Sequence, residues 1–181
     1  MRIIRFYDLH TQLWKNGGGS TREIAAFRSN QDTIWRISMA DVETEGPFSV
    51  FSGLTRILTV VKGKGICLKH AGGTIDALFG VPVLFDGALP IRSKLMDGPI
   101  SDLNLMFDAK MCRGEVTMLQ TPTKLASHNV TAVFGLTGNC LVNSTCDLQF
   151  GDTALLENES AEIRLSTDGS ALIVSLNLIH Q

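Results

Sequence analysis

Apolar and polar residues alternate with a period of two along most of this chain, and the 3.6-residue period of an amphipathic helix is scarce. In Ile34-Trp35-Arg36-Ile37-Ser38-Met39, Trp35, Ile37 and Met39 take one face and Arg36 and Ser38 the other. Residues 55–61 are β-branched and apolar. Lys62-Gly63-Lys64-Gly65 then turns the chain into Ile66-Cys67-Leu68-Lys69-His70, which is a hairpin signature. The pattern predicts further strands over residues 22–27, 83–85, 103–107, 115–120, 129–134, 139–142, 153–157, 161–165 and 171–178. One weak helical turn is expected within residues 98–103. Short strands at regular spacing, separated by Gly, Asp and Asn, predict an all-β sandwich or barrel.

An internal repeat sharpens this expectation. Gly65-Ile66-Cys67-Leu68 lines up with Gly138-Asn139-Cys140-Leu141, and Leu103-Asn104-Leu105 with Leu176-Asn177-Leu178, both at an offset of about 73. Asp97-Gly98 matches Asp168-Gly169 with a small compensated shift, as a loop indel would give. Two matches at one offset indicate a duplicated unit of strands. Duplicated small barrels predict a double-stranded β-helix, the jelly roll of a bicupin, with two tandem cupin-like barrels. The expected division is 1–110 for an N-terminal strand, a Gly-rich loop and the first barrel, and 111–181 for the second, both packed as one unit. The Gly151-Asp152 turn of the second half fits that architecture.

Composition narrows the partners. The 181 residues carry 16 basic and 18 acidic side chains, a net charge of −2, with no basic run. That speaks against nucleic acid, since phosphate binding needs clustered Lys and Arg. Residues 171–179 form the longest apolar stretch, too short and too interrupted by Ser175 and Asn177 to span a bilayer, so no membrane partner is expected. Cys67, Cys112, Cys140 and Cys146 form no CxxC pair, and the N-terminus has no apolar leader segment. Four reduced thiols in a cytoplasmic protein are expected.

The most distinctive string is Trp14-Lys15-Asn16-Gly17-Gly18-Gly19-Ser20-Thr21-Arg22-Glu23. Three consecutive glycines carry a large entropy cost, tolerated where the chain turns with positive φ or where something approaches the backbone closely. Three further motifs follow in order. Trp35-Arg36-Ile37-Ser38-x-Ala40 comes first, then Gly46-Pro47-Phe48-Ser49-x-Phe51-x-Gly53-x-x-Arg56, then Asp102-x-Asn104-x-Met106. Together these resemble the HutD/Ves family from about residue 2 to residue 106, and the remainder fits the family's second barrel in length and pattern. The resemblance implies a bacterial bicupin of the RmlC-like jelly-roll type with no secure enzymatic activity, associated with histidine-degradation genes or described as stress-induced. The residues it singles out are Trp14, Asn16, Gly17, Gly18, Gly19, Thr21, Arg36, Ser49, Phe51, Arg56, Asp102 and Asn104.

Read as chemistry, the chain lacks the His-x-His pair that places two imidazoles on one strand face in metal-dependent cupins. Its histidines, His10, His70, His128 and His180, stand apart in sequence. No metal and no cofactor are expected, a spatial cluster of His70, His128 and Glu115 being the one metal arrangement left open. No Gly-x-Ser-x-Gly elbow exists, and Cys67 and Cys140 lie on apolar strands, so no catalytic residue is assigned. The positive signal is cationic. Arg36 shares its face with Ser38, and Arg56 shares its face with Leu58 and Val60 on an otherwise apolar strand. Each arginine either joins an internal ion pair, with Glu23 or Asp102, or sits on an exposed barrel rim, or grips an acidic ligand through its planar fork. Asn104 can read an amide, formyl or imidazole group. Trp35 belongs to the apolar face, which leaves Trp14 as the indole for stacking.

The resulting expectation is a metal-free bicupin that binds a small carboxylate-bearing metabolite in its first barrel, in a regulatory role. Arg36, Arg56, Asp102 and Asn104 would line the site, closed by the loop over residues 14–23. Two alternatives stay open. One is a metal-independent isomerase, lyase or hydrolase in which Arg56 stabilises negative charge and Asp102 or Glu23 is the general base. The other is an interaction module using the second barrel as an oligomer interface. Homodimerisation also stays open.

Overall fold

The alternating pattern folds into nineteen strands and one single-turn 3-10 helix in a computed structural model that describes residues 1–179. Strand β1 (Arg2–Ile4) and the 3-10 turn (Phe6–Asp8) open the chain. Then come β2 (Thr11–Leu13), β3 (Gly19–Ser29), β4 (Asp32–Val42), β5 (Gly46–Pro47) and β6 (Thr55–Lys62). They are followed by β7 (Gly65–His70), β8 (Gly73–Leu78), β9 (Val83–Asp86), β10 (Arg92–Leu95) and β11 (Ile100–Phe107). The remaining strands are β12 (Cys112–Leu119), β13 (Thr123–Leu125), β14 (Val130–Thr137), β15 (Cys140–Val142), β16 (Cys146–Leu148), β17 (Thr153–Leu156), β18 (Ala161–Leu165) and β19 (Ser170–Leu178).

The chain divides into two units. The first, His10–Met111, holds a six-stranded sheet ordered β2-β3-β4-β11-β6-β9 and a four-stranded sheet ordered β5-β10-β7-β8. Val42, Leu58, Val60, Ile66, Leu68, Ala77, Phe85, Ile91 and Ile100 form its core. In the second unit the orders are β1-β17-β14-β19-β12 and β13-β18-β15-β16. Its core is Val133, Cys140, Val142, Leu148, Leu156, Ile163, Ala171, Ile173 and their neighbours. Every pairing between these strands is antiparallel, and both units are jelly rolls of the cupin type. Among the described residues no helix is long and apolar enough to cross a membrane, and Cys67, Cys140 and Cys146 are free thiols.

The duplication is present in the pairing diagram. The order β4-β11-β6-β9 reappears as β12-β19-β14-β17, and β5-β10-β7-β8 as β13-β18-β15-β16. A bulge recurs at the same place. Val61 is the unpaired residue of β6 opposite the Ser101/Asp102 step, and Leu136 that of β14 opposite Ser170/Ala171. This fixes the structural register: Asp102 corresponds to Ala171, Asn104 to Ile173 and Arg56 to Thr131. The tripeptide matches of the sequence are therefore out of register. Cys67 points outward between Lys94 and Asp76 whereas Cys140 is in the core. Asn104 is buried mid-strand whereas Asn177 is exposed near the end of β19.

Two local expectations need correction. Strand β1 belongs with the second unit rather than with residues 10–110, because Arg2, Ile3 and Ile4 pair with Leu155, Ala154 and Thr153 of β17. Asp152 anchors the segment, accepting from Arg5 Nη1 at 2.7 Å and from the Phe6 amide at 2.9 Å. Residues 98–103 form no helical turn: Gly98 turns at φ +71° and β11 begins at Ile100.

Candidate functional site

The site lies on the inner face of the six-stranded sheet of the first barrel. Residues directly opposite on neighbouring strands share a face, so pairing stacks side chains in rows. Arg36, Met106 and Arg56 form one row, Ser38, Asn104 and Leu58 the next, and Ala40, Asp102 and Val60 the third. Rows that would be apolar in an ordinary sandwich thus carry two guanidiniums, an amide and a carboxyl group. Above them lies a cavity of about 600 Å³, within the range of small-molecule sites.

Nine of the twelve residues singled out in the sequence line this cavity. Arg36, Arg56, Asp102 and Asn104 come from the strands; Trp14, Asn16, Thr21, Ser49 and Phe51 come from its rim. The three glycines do not line it. Gly17 has φ +70° and closes a turn, its amide donating to the Trp14 carbonyl at 3.0 Å. The Gly18 amide donates to Asn16 Oδ1 at 3.0 Å, and its carbonyl accepts from Glu43 and Thr44. A Cβ on Gly19 would sit 2.1 Å from the Asp41 carbonyl oxygen. The glycines serve turn geometry and the close approach of β3 to β4. Trp14 is likewise engaged: its indole N–H donates to Thr21 Oγ1 at 2.8 Å, and its ring meets Phe48 edge-on with centroids 6.3 Å apart.

The two arginines differ. Arg36 Nε lies 3.0 Å from Glu23 Oε2, an ion pair by distance although its N–H is not aimed at the oxygen. Glu23 is also gripped by Arg28, and that hydrogen bond, with the charge of both arginines, holds the carboxylate below its usual range despite partial burial. Glu23 is outside the cavity lining and is held as an anion by its partners, so the general-base role left open for it has no geometric support. Arg56 is only 4% exposed. Its Nη2 donates to Asn104 Oδ1 at 2.8 Å and its Nη1 reaches the Ser49 carbonyl at 3.5 Å, while Nε–H has no acceptor. Phe85, Phe51 and Phe48 surround the guanidinium with centroids 5.1, 5.4 and 5.6 Å away. Burial lowers its pKa to about 10, the charge of Asp102 opposing and that of Arg36 reinforcing the shift.

Asp102 is buried beside it. Asn104 Nδ2 donates to Asp102 Oδ1, so the amide links Arg56 to the carboxyl group, and Oδ2 has no partner. Burial pushes the Asp102 pKa up to about 7; the charge of Arg56 counteracts, that of Asp41 adds to the rise and the Asn104 hydrogen bond lowers it. Asp41, one residue before Val42 on the opposite face of β4, behaves differently. Burial alone would raise it, but hydrogen bonds from Ser101, Arg22 and Ser20 outweigh that and hold it below its ordinary value. No group of three or more His, Cys, Asp or Glu side chains converges among the described residues. His70 is on β7 of the first barrel and Glu115 on β12 of the second; His180 is outside the described residues.

Sequence reasoning missed Lys15, Phe48 and Phe85. Lys15 and Phe48 line the cavity, and only the cross-strand pair Arg56–Phe85 puts the third ring against the guanidinium. A cation next to the glycine run was the signal for Lys15; nothing local marks Phe85.

The HutD family model matches residues 7–174. The chain belongs to the HutD family. Among its relatives, a Pseudomonas putida protein described as an uncharacterized 21.2 kDa protein in the hutC 3' region is 33% identical over 138 residues, covering 74% of this chain and 72% of that one. The Protein Ves of Cronobacter sakazakii is 35% identical over 118 residues, 62% of this chain and 65% of its own. The solved structure of HutD from Pseudomonas fluorescens SBW25, formate condition, superposes with a TM-score of 0.89 at 25% identity, covering 99% of both chains. The motifs containing the cavity residues are thus set in the fold of the HutD family over nearly the whole chain.

Proposed function

We propose that this HutD-family bicupin binds a small carboxylate-bearing metabolite in its first barrel and acts by sensing or limiting flux in histidine utilisation or a stress response. One observation carries the reading. Arg56 is a buried cation with no carboxylate at salt-bridge distance among the described residues, and its Nε–H is unused beside the cavity. A buried charge is costly unless compensated, and a planar fork against an open cavity suits a bidentate anion. The relative named for the hutC region supports a histidine-utilisation context. Acids of that chemistry include urocanate-like and formylated glutamate-type compounds.

Mass spectrometry of small molecules retained on purification, with calorimetry using urocanate and N-formylglutamate, tests the reading. Charge-assisted hydrogen bonds contribute about 1.5–3 kcal/mol, so Arg56→Ala should weaken binding about tenfold or more. Arg56→Lys should also weaken it, because lysine keeps the charge and loses the fork. Unchanged affinity in both variants overturns the site. Asp102, whose pKa lies at about 7 in a cavity, favours a second reading as an acid–base catalyst. Product analysis after incubation separates the two, since a sensor returns the acid unchanged.

A further inference from the structure

Asp102 is 1% exposed in the middle of β11 and is not in salt-bridge contact with any cation of the described residues. Asn104 stands between it and Arg56, accepting from the guanidinium and donating to Asp102 Oδ1. The other carboxyl oxygen, Oδ2, is buried, has no protein partner and belongs to a residue that lines the cavity. Burying an ionised carboxylate without a contact cation is expensive, whereas a neutral carboxylic acid needs only an acceptor for its one hydrogen. Oδ2 has no protein acceptor for such a hydrogen, and its residue lines the cavity from which a ligand oxygen could approach.

The surrounding charges point the same way. From β6, Arg56 favours ionisation, but at a distance and through Asn104. On β4, Arg36 is drawn to Glu23 of β3, and Asp41, committed to Arg22, Ser20 and Ser101, opposes a second negative charge. Lys15 approaches the cavity only from its rim loop. Burial dominates this balance and carries the pKa of Asp102 up to about 7.

We propose that Asp102 captures the ligand as a neutral carboxylic acid, its Oδ2–H donating to the same anionic group that Arg56 holds, so that binding is linked to uptake of one proton. The inference rests on the carboxylate-site reading above. No bond of the ligand is made or broken: where Asp102 is ionised, Oδ2 takes a proton from solvent to form its O–H bond, and the acid then donates one hydrogen bond to a ligand oxygen. An ionised Asp102 would instead meet the anion with a negative Oδ2 that has no hydrogen to donate.

The test is the pH dependence of binding. N-formylglutamate is a suitable probe because its own carboxylates stay ionised throughout. With one linked proton, wild-type affinity should fall about tenfold per pH unit above the midpoint of Asp102. Asp102→Asn keeps a donor that cannot ionise, and its affinity should stay level within about twofold over the same range. Calorimetry in buffers of different ionisation enthalpy should show proton uptake by wild type on the alkaline side and none by Asp102→Asn. Level wild-type affinity, or an equal fall in the variant, overturns the proton linkage alone. Failure of the probe to bind either protein at any pH overturns the carboxylate-site reading and the linkage with it. Carbon-13 titration of the Asp102 carboxyl in the ligand-free wild type decides the protonation state without any variant. A midpoint in the ordinary carboxylate range sinks the proposal.

Discussion

At the three levels where the first barrel carries Arg56, Asn104 and Asp102, the second carries Thr131, Ile173 and Ala171 on strands paired in the same order around the same bulge. In the second barrel Ala171, Ile173 and Val133 belong to a packed apolar core. In the first, the apolar core stops at Leu58 and Val60, and a polar cavity begins beside them. One pairing diagram therefore accommodates an apolar interior and one that sets a cation, an amide and a carboxyl group beside a cavity. Backbone topology sets where a site can be; side-chain replacement decides whether one is there.

The most severe way to probe this difference is to move the carboxyl group across. Ala171→Asp puts it at the position equivalent to Asp102, but without an equivalent of Arg56 or Asn104 and inside a fully buried apolar cluster. A loss of about 4 kcal/mol or more is expected, enough to unfold a marginal domain, read by denaturant titration. Tolerance of Ala171→Asp would mean that the second barrel has hidden room and that the contrast is overstated.

Next in size is a pH effect confined to the first barrel. Asp102 holds its proton in the folded state up to about 7, against an ordinary value of 3.8. Between those limits the folded chain binds a proton that the unfolded chain releases, so stability falls as pH rises. The slope from this group is about 1.4 kcal/mol per pH unit, levelling off above its folded pKa. Glu23 and Asp41, held low in the folded state, act oppositely, contributing stability above their unfolded values that is lost on acidification. Subtracting the Asp102→Asn profile from that of wild type isolates the falling slope; no difference between pH 4 and 7 would show that the buried carboxyl group ionises normally.

The smallest effect concerns the glycine run. Gly19→Ala forces a Cβ onto the Asp41 carbonyl, a backbone atom with little room to move. A loss of about 2 kcal/mol, or roughly 4–8 °C in melting temperature, is expected. Unchanged melting with lost ligand binding would return this glycine to the binding machinery.

How much of this was legible in the chain follows from what is local. Period-two alternation and the Lys62-Gly63-Lys64-Gly65 turn revealed the strands and the β6–β7 hairpin, because strand faces are written residue by residue. Short strands such as β10 and β16 went unseen, since three or four residues give too little alternation. The duplication was visible, but its register was not: chance identities at Cys67/Cys140 and Asn104/Asn177 masked a shift that only the bulges reveal. Arg56 stood out as a charged residue on a strand otherwise suited to burial, whereas Asp102 stood out only through the motif it shares with Asn104 and Met106. That Arg36 pairs with Glu23 while Arg56 stays without a carboxylate depends on cross-strand geometry that no spacing encodes.

The attachment of β1 to β17 has a consequence for how the chain folds during synthesis. Arg2 must wait for Leu155, and Arg5 for Asp152. At typical translation rates the intervening stretch takes on the order of ten seconds to appear. For about the last third of that time, once Met111 has been made, the first barrel has all of its own strands to hand, while β1 is still an unpaired edge tethered to it. A nascent chain is thus expected to mature from the middle outward, the cavity-bearing barrel first and the early-made β1 segment docking among the last elements. Such long-range closure is slow and leaves a strand edge exposed in the interim.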